Sequence, residues 1–411
     1  MNRTHDDSTR VLGYIEGILN YNKKASSYVL LNPGPVLTSP RVKAALVHHD
    51  MCHRDIDFSV LVENLRSKLK SVFRGNEEHE VLPITGSGTS AIEASIASAI
   101  PRNKKVLIIV NGAFGERYLE VANVHKMDIV ECNFGWANNV DVDLIEEKLA
   151  ADPEIAAVMM AHHETSVGLL NPINAIGALC RKYNALFIVD AVSSLGAEDL
   201  DVVRDNIDVC LSSANKAIHA IAGVAFVCVN SRAWKVMETI EPRLYYLDLR
   251  RYRKYATEQE QTPFTPAVSS FFALDAAIDE LLEDTLEKRL AMYKQKKAFM
   301  RNGFLDLGFE FLTNFGNESN TLSIVKVPEY INFTDLYSQM KEFGYILYNC
   351  KDDLENKFFQ VSNMGNLSFD MINQFLGHLR FVLARAQKAS NTASSALSET
   401  EEITPFLVKT W

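Results

Sequence analysis

The sequence predicts an α/β protein: a mostly parallel sheet covered by helices on both faces, followed by a smaller α+β domain. Three observations lead to this reading. First, short apolar runs recur at Val106–Val110, Asp128–Cys132, Ile155–Ala161 and Leu186–Val189, with helical stretches between them. Repeated strand–helix units of this kind build parallel sheets. Second, two apolar runs stop at chemically capable residues. Phe187-Ile188-Val189 ends at Asp190, and Asp208-Val209-Cys210-Leu211 leads into Ser212-Ser213-Ala214-Asn215-Lys216. In open α/β sheets reactive groups collect at the carboxyl ends of strands, so an acid and an amine arrive at one edge. Third, the run Val81–Ile84 feeds Thr85-Gly86-Ser87-Gly88-Thr89-Ser90 and then a helix of small residues, Ala91–Ile100. A glycine loop at a helix N-terminus brings free N–H groups and the helix dipole to bear on an anion. The loop lacks the GK[ST] ending of a nucleoside-triphosphate loop.

The elements follow in order. Residues 1–27 are polar and read as an N-terminal arm, with a helix around Val11–Tyr21. A strand from Tyr28 runs into Pro33-Gly34-Pro35, where proline fixes φ and glycine supplies the permissive corner. Pro40 opens a short helix to about Val47. Phe58, Leu61, Val62, Leu65, Leu69, Val72 and Phe73 then repeat on one face of a second helix. Helices are expected at Gly115–His125, Val142–Ala150 and Pro172–Tyr183, and a further strand at Gly223–Val229. Trp234–Thr262 reads as a partly irregular segment, and Ser269 to about Arg301 as strongly helical with a charged face. The large domain is taken as 28–305. A smaller α+β domain, 306–388, holds strands at Thr321–Val327, Ile346–Tyr348 and Phe358–Val361 and helices at Phe333–Phe343 and Phe369–Gln387. Residues 389–411 are Ser/Thr/Glu-rich at first and read as a flexible tail, whose last residues, Pro405–Trp411, are apolar enough to dock.

Composition narrows the classes. The chain has 411 residues, 47% hydrophobic and 23% charged, with a net charge of −10. That balance argues against nucleic acid or an anionic membrane as partner. The six cysteines show no CxxC or metal-type spacing, and no apolar run reaches the roughly 18 residues of a span. A cytoplasmic protein with reduced thiols is expected. The pair His162-His163 suggests a metal site, but adjacent strand residues face opposite ways, so no metal is expected.

A strand-end lysine, a strand-end aspartate and an anion loop are the set that pyridoxal phosphate chemistry needs: an amine for the aldehyde, an anion for the pyridine nitrogen and a seat for the phosphate. Gly86-Ser-Gly-Thr89, Asn111-Gly-Ala-Phe-Gly115, His163-Glu-Thr-Ser166 with Gly168 and Asn171-Pro172, Val189-Asp190 and Ser213-Ala-Asn-Lys216 carry a wider likeness. In order and spacing they resemble the class V, fold-type I pyridoxal phosphate enzymes, and within them the 2-aminoethylphosphonate:pyruvate transaminases, with alanine:glyoxylate aminotransferases next. The likeness runs from about Leu30 to Leu379.

The resemblance implies a seven-stranded sheet in the large domain and a role for each matching position. Lys216 becomes the Schiff-base lysine and proton shuttle, and Asp190 the partner of the pyridinium nitrogen. Thr165 hydrogen-bonds the 3-oxygen of the ring, and Phe114, by pattern alone a core aromatic, stacks on it. Ser87, Gly88, Thr89 and Asn215 hold the phosphate. Thr265, in Thr262-Pro-Phe-Thr-Pro266, reaches the phosphate from the neighbouring subunit, which implies a homodimer. Pro35 and Asn349 line the substrate pocket.

One departure bears on substrate. Where the family carries an anion-clamping arginine, this chain has Gln360, in Phe358-Phe-Gln-Val-Ser-Asn-Met-Gly365. Glutamine has no charge and cannot fork onto an anion as arginine does. Arg54, Arg243, Arg250, Arg251 and Arg253 are candidates to compensate. The expected activity is ping-pong transamination between a small amine or amino acid and an oxo acid. A lyase or decarboxylase on the same scaffold is the alternative that Gln360 keeps open. Cys350 is the one thiol placed for a desulfurase, but its Tyr-Asn-Cys-Lys setting lacks a small-residue loop.

Overall fold

A computed structural model of the protein describes residues 28–401. The expected N-terminal helix and the apolar end of the tail lie outside these residues.

Seven strands form the large sheet in the order His79–Gly86, Gly223–Asn230, Val209–Ser213, Leu186–Asp190, Ile155–Ala161, Lys105–Val110, Asp128–Asn133. Gly223–Asn230 runs antiparallel to both its neighbours, and the remaining pairs are parallel. The central strands are buried along their whole length, which explains their uncharged sequence: Leu186–Asp190 and Val209–Ser213 expose no residue. A core lies on each face of the sheet. One is built around Phe58, Leu65, Phe187, Phe226 and Phe271, the other around Ile92, Val110, Tyr118, Ile188 and Trp234.

The smaller unit is a three-stranded antiparallel sheet, with Phe358–Ser362 between Leu322–Lys326 and Tyr348–Asn349. Phe304, Phe359, Phe375 and Leu379 make its core.

Two sequence expectations are corrected, the first strand and the last helix, and two are made finer. The strand at the start of the described chain does not join the large unit. Val29–Leu30 pairs in parallel with Tyr345–Ile346, and Leu31 packs in the smaller core. The strongly helical stretch over 269–301 holds two helices, Val268–Asp284 and Leu286–Asp306. Thr285 breaks it at φ 63°, and its side chain caps the second helix by accepting from the Lys288 N–H at 3.4 Å. The partly irregular segment after Trp234 holds the helices Ser231–Met237 and Leu249–Glu258, with non-helical chain between them. The last helix does not end near Gln387 but runs Phe369–Glu401, so the start of the expected flexible tail is helical. No glycine or proline interrupts His378–Thr404, which leaves nothing local to stop it.

The two units meet at a buried acid. Glu198 accepts hydrogen bonds from the Asn320 N–H at 2.6 Å, from Ser319 Oγ at 3.0 Å and from Asn320 Nδ2. Burial pushes its carboxyl up from 4.5 to about 7, although these donors oppose the shift. A folded-state value above the unfolded one means that the folded protein holds the extra proton between those limits. Stability from this group is therefore full below about pH 4.5 and is lost as pH rises through about 7. The urea midpoint is expected to fall from pH 5 to pH 7, and Glu198→Gln to remove its share of that slope. An unchanged slope in the variant contradicts the assignment.

Candidate active site

Asp190 closes one strand and Lys216 follows the next, three residues after Ser213. The register places Asp190 beside Leu211, so both groups reach the carboxyl edge of the sheet at neighbouring positions. Asp190 is 5% exposed. Its Oδ1 accepts from the Val192 N–H at 2.8 Å, and its Oδ2 accepts from the Tyr118 hydroxyl at 2.8 Å. Each oxygen keeps a lone pair for a further donor. Burial raises the Asp190 carboxyl above its usual range, against the pull of these hydrogen bonds and of Arg117 and Lys216.

Lys216 is set in a tight corner. Its Nζ donates to the Pro33 carbonyl. Gly34 passes at φ 122°, and a Cβ there would lie 2.6 Å from Lys216 Cδ, so only glycine fits. Burial lowers the Lys216 amine to about 8, with Asp190 opposing and Arg117 assisting. That value gives the amine a substantial neutral fraction near neutral pH.

Beside this pair is a cleft of about 150 Å³. Pro33, Gly34 and Lys216 form one part of its wall, and Ala113, Phe114 and Arg117 another. Thr165 and Ser166 add a third, and Tyr348, Asn349, Lys351 and Gln360 come from the smaller unit. Thr165 Oγ1 donates to Ser193 Oγ at 2.6 Å, and Gln360 Nε2 donates weakly to the Ser166 carbonyl at 3.4 Å. Asn349 is tied to Asn356 through both its side-chain atoms.

The anion loop lies next to the same strand ends. The helix Gly88–Ala99 begins at Ser87, whose side chain makes no cap hydrogen bond, so the first amides are left for another acceptor. A Cβ at Gly88 would meet Val192 at 3.0 Å and Ser213 Oγ at 3.6 Å, and Ser213 Oγ in turn donates to Asn215 Oδ1 at 3.1 Å. Ser87, Gly88, Thr89 and Asn215 are thus gathered close to Asp190 and Lys216.

Other expected residues are placed elsewhere. Pro35 is exposed, and the cleft takes Pro33 and Gly34 from that turn instead. Thr265 is exposed on its own chain, 3.4 Å from His53 Nε2, and does not reach the cleft. Arg54 lies in the same region, donating to Gln261 Oε1 at 2.9 Å and to the carbonyls of Thr262 and Pro263. Arg250 is held by Asp248, Arg253 by Glu80 and Glu238, and Arg251 covers Tyr245. None of these, nor Arg243, lines the cleft. Cys350 is buried and burial pushes its thiol up to about 12, which removes it as a nucleophile. His162 and His163 are buried, and desolvation holds them neutral at about 4 and 3.

Two functional residues escaped sequence reasoning. Tyr118 is fully buried and donates to Asp190. Its only signal was its place four residues after Phe114, on the same helix face. Glu164 is also fully buried and holds the N-terminus of the helix Ala113–Val124, accepting from the Phe114 and Gly115 N–H groups at 3.2 Å and from Ser166 Oγ at 2.5 Å. It fixes Phe114 over the cleft, and burial pushes its carboxyl up to about 7.

A buried acid with free lone pairs, a lysine depressed by burial, an uncapped helix start and a ring-sized cleft fit pyridoxal phosphate, and they define a pyridoxal-phosphate enzyme. The chain belongs to the class V aminotransferase family, whose model matches residues 41–342. An uncharacterized aminotransferase of Methanocaldococcus jannaschii is 35% identical over 341 residues, 82% of this chain and 88% of that protein. The 2-aminoethylphosphonate–pyruvate transaminase of Salmonella paratyphi C is 33% identical over 359 residues, 86% of this chain and 97% of its own length. Among solved structures, ureidoglycine–glyoxylate aminotransferase of Bacillus subtilis superimposes with a TM-score of 0.83 at 26% identity, covering 88% of this chain and 94% of that one. The protein is a pyridoxal-phosphate-dependent aminotransferase of fold-type I. Among the described residues no helix is long and apolar enough to cross a membrane.

Proposed function

We propose that the enzyme transfers an amino group between a small amine or amino acid and an oxo acid by a ping-pong route. The observation that carries this reading is the convergence of Lys216 and Asp190 on one sheet edge beside a cleft open to a small molecule. Bound pyridoxal phosphate supplies an aldehyde that takes up the amino group and a ring that accepts the electron pair left on the neighbouring carbon. Lys216 Nζ, made easier to deprotonate by burial, would take and return the proton at that carbon. Asp190 stays anionic toward the ring nitrogen, with Tyr118 and the Val192 amide holding its oxygens in place. Phe114 would cover the ring, Thr165 would meet its oxygen, and Ser87, Gly88, Thr89 and Asn215 would hold the phosphate.

We further infer a homodimer. Thr265 is exposed and does not line its own cleft, which suits a residue serving a neighbour's phosphate seat. A cytoplasmic location fits six free thiols, including Cys210 and Cys228 paired across adjacent strands.

The relatives make 2-aminoethylphosphonate and pyruvate the first pair to try. Adding the amine to cofactor-loaded enzyme should convert its visible absorbance stoichiometrically to that of the amine form, and pyruvate should restore it. Product formation without that conversion contradicts transamination and supports a lyase or decarboxylase with a changed substrate.

A further inference from the structure

We propose that the anionic end of the oxo-acid substrate is held by Arg117 and Lys351, which together replace the arginine absent at Gln360. This rests on the transaminase reading above. Three cations line the cleft, Lys216, Arg117 and Lys351, and no carboxylate does. Lys216 is committed to the cofactor, so two positive charges remain for substrate. A cleft lined this way favours a small oxyanion.

Among the described residues, the side chains of Arg117 and Lys351 make no hydrogen bond or ion pair, unlike those of Arg54, Arg250 and Arg253. Arg117 lies one turn after Phe114 on the helix Ala113–Val124, with its guanidinium 4.8 Å from the centre of that ring. The contact keeps the charge at the cleft wall without neutralising it. Lys351 follows the strand Tyr348–Asn349, and Tyr348 pairs directly with Gln360. The charge missing from one strand is thus regained just past the end of its neighbour. Asp352 and Asp353 follow Lys351 and are exposed, as it is, but do not line the cleft.

Gln360 is 8% exposed and occupied, weakly, with the Ser166 carbonyl. It shapes the wall but brings no charge. The phosphate of the cofactor has its own seat at Ser87–Thr89, outside this lining. The anion held here is therefore the substrate's, a carboxylate or a phosphonate.

The test uses the cofactor-loaded full chain with Arg117→Gln, Lys351→Gln, the double variant, and the double variant carrying Gln360→Arg. Each single change should raise KM for pyruvate about 10- to 100-fold with a much smaller change in kcat, as expected for losing a charged hydrogen bond. The double variant should lose more, and Gln360→Arg should restore much of it. Calorimetric titration with acetate, methylphosphonate and acetamide gives a readout that needs no turnover. Acetate or methylphosphonate should bind the parent enzyme and fade in the variants, while uncharged acetamide should not respond. The tighter of the two anions identifies the substrate's group. Transfer that proceeds with unchanged KM in all variants overturns the clamp and leaves the transaminase reading intact. Anion binding lost in the variants of an enzyme that transfers no amino group supports the clamp and overturns that reading.

Discussion

Lys216→Ala is expected to lower turnover by at least about 10²- to 10⁴-fold, the range for a positioned proton-transfer group, and to abolish covalent retention of the cofactor. Lys216→Arg should fail as well, because a guanidinium stays protonated. The parent enzyme adds a pH signature. The amine must be neutral to attack an aldehyde. Burial lowers its value from 10.5 to about 8, against the opposing pull of Asp190. At pH 7 roughly a tenth of the amine is then neutral, against about 0.03% for an unperturbed lysine, a gain of about 300-fold. Capture of pyridoxal phosphate by cofactor-free protein should rise with pH and level off above about 8. A rate still climbing tenfold per unit at pH 9 contradicts a depressed Lys216.

Asp190→Asn is expected to cost about 10²- to 10³-fold in kcat/KM, the usual scale for losing one preorganised electrostatic partner. Asparagine keeps the shape and can still accept from Val192, but the negative charge is gone. Cofactor affinity should weaken alongside, measured as a raised dissociation constant for pyridoxal phosphate. Tyr118→Phe separates charge from position. It leaves the carboxylate intact but removes the hydroxyl 2.8 Å from Oδ2. The loss in kcat/KM should be about tenfold, at the low end for one hydrogen bond to a charged group and smaller than for Asp190→Asn. The pH midpoint of the bound cofactor's absorbance should move, which a merely structural role for Tyr118 would not produce. Equal activity of Asp190→Asn and the parent enzyme contradicts the role given to the acid.

The sheet was legible because its central strands are buried on both faces. Burial forces uninterrupted apolar sequence, and the polar residues that end such runs mark the functional edge. Lys216, Asp190 and the Ser87–Thr89 loop stood out for that reason. Phe114 and Thr165 were legible through motif spacing. What escaped notice depends on contacts between distant segments. Tyr118 looks like an ordinary helix residue until the fold brings it to Asp190, 72 positions away. Glu164 sits in a motif noticed for its threonine, yet it caps a helix some fifty residues earlier. Arg117 and Lys351 sit among charged neighbours in sequence, so nothing local separates them from solvated charge. Of the arginines that sequence alone singled out, Arg250, Arg253 and Arg54 turned out to be held by Asp248, by Glu80 and Glu238, and by backbone carbonyls. The break at Thr285 and the extension to Glu401 were hidden because helical periodicity is blind to a single left-handed residue and to the absence of a stop.

The most direct test is to load the purified enzyme with pyridoxal phosphate, reduce it with borohydride and map the modified peptide by mass spectrometry. The structure predicts a yellow protein that loses its colour on reduction and carries the reduced cofactor on Lys216 alone. A protein that stays colourless, or one labelled at another lysine while position 216 remains free, contradicts the account.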